Sequence, residues 1–351
     1  MNDMNDLYNM NEMEDLRDVA FWLSVEDYIM ASMPMSADER CFLAWRVRPC
    51  VVIGKNQIAE AEMDLAAAKS NNVGVTRRSS GGGAVYLDPG AIQYAVIQPY
   101  AMGLGDDAMK IAREEVAGAM ARALNNFGVA AKPEGRNDIT AGGAKVSGIS
   151  QLTRGGRLNT HGTLLYDTDL EILSRLLRPD TDKFQSKAVQ SVRRRVSNIK
   201  PLITDRQKAP ETGVFMKAVE EAVRKDAEAS GRPFLEFVPT ERELVEIERI
   251  RGEVYANPDN TFRSAPPYTY RSARRFSQGK VEAYIDVKNG VVTSCALRGD
   301  FIGVLPVDGL ERELLGLPFQ LADFSAALGE DDVKNRLGGV SKAEFLGLIF
   351  D

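Results

Sequence analysis

The chain is poor in the residues that most often carry metal and redox chemistry. Its 351 residues include one histidine, His161. Centres needing several His ligands are therefore excluded, and any histidine-based triad has to use that residue. The three cysteines, Cys41, Cys50 and Cys295, are too few and too scattered for a disulfide framework or a CxxC metal site. An excess of positive charge is missing too: 44 Lys+Arg against 50 Asp+Glu give −6, the reverse of what a general nucleic-acid binder shows. No uncharged apolar run approaches the ~20 residues of a membrane span. The first 18 residues, dominated by Asn, Asp, Glu and Met, lack the basic and apolar regions of an export signal. These absences predict a cytoplasmic protein with no nucleic-acid or membrane partner. What remains is 44% hydrophobic and 27% charged, ordinary for a globular protein and long enough for one large domain and a smaller one. Chemistry has to rest on Lys, Arg, Asp and backbone groups.

Apolar spacing predicts helices over 19–30, 60–70, 106–127, 169–177, 211–229 and 240–251, with Gly128 placed to end the third. Strands are expected at 42–45, 51–53, 74–79, 83–87, 92–98 and, broken by glycines, through 138–166. Strands and helices do not alternate as βα repeats, so the expected class is α+β with a large mixed sheet. Pro- and Asn-rich sequence around 256–267 reads as a linker. Beyond it, Lys288-Asn289-Gly290 between two alternating runs signals a β-hairpin. The division expected is a large domain over 1–255, a linker over 256–261 and a small α+β module over 262–351.

Four segments could carry chemistry. Arg77-Arg78-Ser79-Ser80-Gly81-Gly82-Gly83-Ala84-Val85-Tyr86 has three glycines whose N–H groups can turn toward an anion, with two arginines ahead of them. It is neither a Walker A loop nor a dinucleotide turn, and a plain glycine loop between strands is the simpler alternative. Gly135-Arg136-Asn137-Asp138-Ile139 precedes Lys145-Val146-Ser147-Gly148. There the lysine could hold a carboxylate or phosphate and the aspartate could carry Mg²⁺, or the pair could be an exposed hairpin. His161-Gly162-Thr163-Leu164-Leu165 places the single histidine on an apolar strand with no carboxylate near it in sequence, a wall residue more than a base. The stretch 186–198 is compactly basic and could face a phosphate, an acidic partner or only water. Glu241–Arg251 reads as a solvent face.

Taken in order, these segments resemble the lipoate–protein ligase family of the biotin/lipoate ligase superfamily. Arg77–Val85 matches RRxSGGGAV, Ile53–Gln57 matches IGRNQ, Gly135–Ile139 matches GRNDI and Lys145–Gly148 matches KxSG. His161–Leu165 matches HGTLL, and 187–198 matches KGxxSVRSRVxN. The match covers about residues 20–200 with six ordered motifs and extends more weakly to Gly299-Asp300-Phe301-Ile302-Gly303, similar to the accessory domain of Gram-positive-type ligases. The resemblance implies that lipoate and Mg-ATP react to lipoyl-adenylate, and that the lipoyl group then passes to a lysine of a carrier domain in a 2-oxoacid dehydrogenase complex or of glycine-cleavage H protein. It implies ATP or adenylate contacts from Arg78, Gly83, Ala84, Val85, Tyr86 and Lys145. It further implies lipoate contacts from Ser80, Gly83, Lys145 and His161, a catalytic role for Lys145, and Mg²⁺ on Asp138 beside Asn137. No permanently bound cofactor is implied. Joining two anions needs fixed cations and N–H donors more than a protein nucleophile, which agrees with this set.

The family's His-Asp and GNxN segment is altered here, with Leu87, Ala91 and Gln93 at three of its positions, which opens the question of the acyl substrate or carrier. A lipoyl or octanoyl transferase of the same superfamily would need a thiolate near the acyl group, and no cysteine lies between 51 and 294. A biotin ligase would show a GRGR-type loop, which is absent. A non-catalytic relative that binds lipoate or an adenylate is the alternative of another class. A linker between the domains suggests that the accessory domain reorients between adenylation and transfer.

Overall fold

The computed structural model of the protein describes residues 16–100, 105–178, 196–204, 209–262 and 268–350. Most of the basic segment 187–198 lies outside them. Asp18 starts the first helix, α1 (Val19–Ser32), by accepting from the Phe21 N–H at 2.9 Å, which satisfies one of the free N–H groups of the first turn. Strands β1 (Cys41–Trp45) and β2 (Cys50–Ile53) follow. The helix expected over 60–70 divides into α2 (Ala59–Glu62) and α3 (Leu65–Ser70), because Met63 is extended and Asp64 caps α3 by accepting from Ala67 N at 2.9 Å. Then come β3 (Gly74–Arg77), β4 (Val85–Leu87), β5 (Ala91–Pro99) and the long helix α4 (Gly105–Asn125). An antiparallel run β6 (Ala131–Glu134), β7 (Asp138–Ala141), β8 (Ala144–Arg154) and β9 (Arg157–Leu165) precedes α5 (Leu170–Leu176), α6 (Thr212–Ala229) and α7 (Glu241–Ile250).

Six strands pair antiparallel in the order β1-β5-β9-β8-β7-β6, and a smaller sheet, β3-β2-β4, holds the glycine loop between its strands. In the large sheet, side chains alternate between faces. Phe42, Ile92, Tyr94, Val96 and Leu164 pack with α4 and α6, while Cys41, Trp45, Ala91 and Ile97 pack with α1 and α7. Both faces are covered, which is why β5 is buried along seven residues running. Register then assigns a third set. Trp45 pairs with Gln93 and Gln93 with Thr163, while Ala95 pairs with His161 and His161 with Ser150, so all of these share the α1 side. The β7–β8 ladder carries a bulge: Ile139 pairs with Ser147, but Thr140 pairs with Lys145, leaving Val146 extra and buried in the α4 core.

The segment expected as a linker contains a helical turn, α8 (Pro258–Thr261), capped by Asn257 and following a buried Tyr255. Residues 263–267 lie outside the described residues. Strands β10 (Tyr270–Phe276), β11 (Gly279–Lys288) and β12 (Val291–Gly299) form a meander. Asn289 and Gly290 both have positive φ (53° and 78°), the conformation the Asn-Gly signal calls for. Helices α9 (Asp308–Glu313), α10 (Leu321–Ala327), α11 (Glu330–Arg336) and α12 (Lys342–Phe350) complete a core built only from this part of the chain. The fold is α+β, as expected.

Candidate active site

The two arginines ahead of the glycine loop do different things. The Arg77 side chain is buried and faces the loop's outer flank. Nη1 donates to Gly54 O (2.9 Å), Lys55 O (3.1 Å) and Gln57 O (2.6 Å), Nε to Asn260 O (2.8 Å) and Nη2 to Thr261 O (2.8 Å). It pins α8 to the 54–57 turn. Arg78 curls into the loop, donating to Val52 O (3.2 Å), Gly81 O (2.7 Å), Gly83 O (2.8 Å) and, through Nε, Ser80 Oγ (3.1 Å). Its burial, with Arg77 next to it, lowers its pKa to about 10, still charged at neutral pH. Because its carbonyls are gathered toward Arg78, the loop has its shape fixed before any anion arrives. Space beside Gly83 is open, whereas the Tyr86 side chain points into the core under β2–β4, so only its backbone belongs to the cradle.

Lys145 lies on the same sheet face as this loop. Odd-numbered neighbours on β8 point away from it: Ser147 meets the Tyr94 hydroxyl at 3.1 Å, and Ile149 joins the α4 core. The bulge at Val146 reverses the alternation, and Lys145 Nζ comes to lie over Gly148, where a Cβ would sit 3.0 Å from it. There it pairs with Asp138 Oδ1 at 2.6 Å, both side chains about one-third exposed. Ser197 N donates to Lys145 O at 3.0 Å, anchoring the end of the segment 187–198 beside the lysine.

The single histidine has the carboxylate partner that its sequence neighbourhood did not show. His161 Nδ1 meets Glu26 Oε2 at 2.9 Å, and His161 Nε2 meets Ser80 Oγ at 2.7 Å. Asn159 Nδ2 also donates to Glu26 Oε2, at 2.8 Å. The fold brings this carboxylate to His161 across 135 positions of sequence. The available signal was Glu26-Asp27 within the otherwise apolar stretch of α1, where a charged side chain on a buried face needs a partner. Arg154 pairs with that Asp27 at 2.7 Å.

The small C-terminal unit closes over the loop. Gly299 N donates to Asn56 O (2.9 Å), Thr153 Oγ1 to Val304 O (2.5 Å) and Arg136 to Gln278 O and Gly338 O (both 3.0 Å). A Cβ on Gly81 would overlap the Phe301 carbonyl oxygen. Of the altered family positions, Leu87 and Ala91 are core residues, and Gln93 is buried on the site side with neither amide atom partnered. All three thiols are pushed upward by burial, Cys41 and Cys295 to about 12 and Cys50 further, which removes thiolate character. Among the described residues no three His, Cys, Asp or Glu side chains cluster as a metal site, and no helix is long and apolar enough to cross a membrane.

Residues 18–224 match the lipoyl protein ligase A/B catalytic domain, and 265–349 match the bacterial lipoate protein ligase C-terminus. Lipoate–protein ligase 1 of Staphylococcus aureus is 30% identical over 95% of this chain and 98% of its own. Lipoate-protein ligase LplJ of Bacillus subtilis is 29% identical over 96% and 98%. Plasmodium falciparum LipL1, solved in complex with lipoate, shares the fold with a TM-score of 0.71 at 22% identity, over 89% of this chain and 91% of that one. Lipoate-protein ligase A bound with ATP gives 0.58 at 25%, over 70% and 94%. The bi-partite lipoate protein ligase of Thermoplasma acidophilum, described with its E2 lipoyl domain, gives 0.58 at 25%, over 72% and 94%. Two matches in tandem span the large unit and the small one, and the relatives are matched over nearly their whole length: the chain belongs to the lipoate–protein ligase family.

Proposed function

We propose that this protein activates lipoate with ATP to lipoyl-adenylate and transfers the lipoyl group to a lysine of a carrier domain, of the 2-oxoacid dehydrogenase type or glycine-cleavage H protein. The observation that carries this reading is the placement of the Lys145 ammonium on the sheet face that the glycine loop covers. Adenylation brings a carboxylate against a phosphate, and the repulsion between them is the main obstacle. A fixed ammonium and preset N–H donors lower it without reorganising in the transition state. Gly83, Ala84, Val85 and the Tyr86 backbone would take the nucleotide, with Arg78 holding the loop in shape. Ser80, Gly83 and His161 would line the acyl carboxylate's place beside Lys145.

Mg²⁺ would enter with the triphosphate. Asp138 offers one carboxylate, and Asn137 an amide oxygen left open because its Nδ2 donates to Ile149 O (3.1 Å), a donor set that fits an ion taking its other ligands from phosphates and water. Bound there, the ion would neutralise phosphate charge. The division into 1–255, 256–261 and 262–351 and a cytoplasmic location belong to the same proposal. The raised thiols speak against the transferase alternative.

Purified protein with ATP, Mg²⁺ and lipoate should release pyrophosphate, and Lys145→Ala should abolish that release. Intact-mass measurement on an apo E2 lipoyl domain and on apo H protein would identify the acceptor. Full activity in Lys145→Ala overturns the site assignment. No turnover of any lipoyl-like acid by the wild type favours the non-catalytic binder.

A further inference from the structure

The buried chain of polar side chains behind the glycine loop has a direction. Arginine can only donate and a carboxylate can only accept, so the ends fix what lies between them. Arg78 Nε–H donates to Ser80 Oγ (3.1 Å). At the other end Glu26 Oε2 can only accept, so His161 Nδ1–H donates to it (2.9 Å), and in the neutral imidazole Nε2 is then the acceptor of the Ser80 O–H (2.7 Å). Ser80 is 1% exposed and Glu26 3%, with the histidine side chain at 13% between them. Glu26 Oε2 takes both His161 and Asn159, while Oε1 is buried with no partner. A carboxylate buried with one oxygen idle is costly for stability alone, since an apolar residue would fill that space without the desolvation penalty. It is well placed to stabilise an imidazolium. Glu26 and Asp27 approach from α1, Arg78 from the loop, and Arg154 and the Lys145–Asp138 pair from β8 and β7.

We propose that Ser80, His161 and Glu26 form a proton-accepting relay for the transfer half of the reaction, with Glu26 as the positioning residue that sets the histidine tautomer. This rests on the ligase reading above. In transfer, the neutral lysine amine of the carrier attacks the acyl carbon of the adenylate. The new C–N bond forms, the acyl C–O bond breaks, and its electron pair leaves on AMP. The surplus amine proton passes to Ser80 Oγ as the Ser80 proton moves to His161 Nε2, giving an imidazolium that faces Glu26. Once charged, His161 donates to Ser80, which frees the serine O–H to donate toward the departing phosphate. Arg78 donating to Ser80 Oγ withdraws electron density, which disfavours the serine as a nucleophile and suits it to a relay.

The test supplies prepared lipoyl-adenylate at saturation and an apo E2 lipoyl domain, and follows the first-order transfer rate against pH. In the acid range both the amine and the imidazole must lose a proton, so log rate should rise with slope two in the wild type. His161→Gln should follow the amine alone, with slope one. Glu26→Gln should lower the neutral-pH rate on the order of 10²-fold and move the break between slopes to lower pH, because the imidazolium has lost its counter-charge. Glu26→Asp, which keeps the charge, serves if the glutamine variant does not fold; it should keep the break near its wild-type position. A wild-type slope of one overturns the relay while leaving the ligase reading intact, and requires no variant. Acyl mass found on the enzyme at Ser80 overturns it as well, by making the serine a nucleophile. No lipoate-dependent pyrophosphate release and no transfer by the wild type would instead defeat the ligase reading itself.

Discussion

Arg77→Met separates the two arginines of the loop most sharply. The native guanidinium is buried and donates five hydrogen bonds of 2.6–3.1 Å to carbonyls of the 54–57 turn and of α8. At about 1.5–3 kcal/mol for each bond from a charged donor, simple addition gives about 7–15 kcal/mol. That sum overshoots, because water and relaxation recover part of it; removing one side of a buried charged network costs about 3–5 kcal/mol. A loss of about 3–5 kcal/mol is therefore expected, a large part of the ~5–15 kcal/mol by which a domain is stable. Arg77→Lys should rescue little of it, since an ammonium cannot span five acceptors spread over two segments. The assay is urea unfolding followed by tryptophan fluorescence. Both tryptophans, Trp22 and Trp45, stack in the large unit, so the signal reports that unit alone. With a slope of about 3 kcal/mol per M, the midpoint should fall by about 1 M or more. A loss under about 1 kcal/mol would refute the reasoning. So would an ATP KM that rises in Arg77→Met with stability unchanged, because the guanidinium would then be serving a ligand.

Gly81→Ala should push the small unit off the loop, since the new methyl overlaps the Phe301 carbonyl. Hydrogen exchange at residues 299–304 should speed up on the order of 30-fold, matching about 2 kcal/mol of lost docking, and unchanged protection would show that the contact carries no energy. Asp18 gives a pH signature. Burial alone would raise its pKa, but the hydrogen bonds from Arg251 and the Phe21 N–H outweigh it and hold the carboxyl below the ordinary 3.8. Its contribution is therefore fully present above 3.8 and lost as pH falls through the lower native value. The stability gap between wild type and Asp18→Asn should close in that acid window, and a gap independent of pH would count against the assignment.

Each of the glycine loop, Lys145, Asp138 and His161 lies in a short run that matches a family motif, and the fold gathers all four on one side of one sheet. The elements were legible from local patterns: a run of apolar residues in β5, helical spacing in α4 and α6, and Asn-Gly at the hairpin. The rest depends on distant pairings. Glu26 reaches His161 only because α1 crosses the sheet opposite β9, and nothing near either residue announces it. The distinct tasks of Arg77 and Arg78 follow from which side of β3 and its loop each occupies, and adjacent positions of one residue type hide that. The break between α2 and α3 turns on the extended Met63, which apolar spacing does not register.

The bulge at Val146 bears on how this site could change over evolutionary time. Alternation on β8 would otherwise send Lys145 to the side of Ser147 and Ile149, into the packed interior against α4. The Lys145 ammonium reaches the face that the glycine loop covers because the strand carries one residue more than its neighbour needs. Substitutions at 146 can be graded by size and shape, but loss of that single residue would flip the lysine into the core even with Lys145, Ser147 and Gly148 all retained. Aligned sequences of such proteins should therefore tolerate exchange between Asp138 and Gly148 far better than a change in its length.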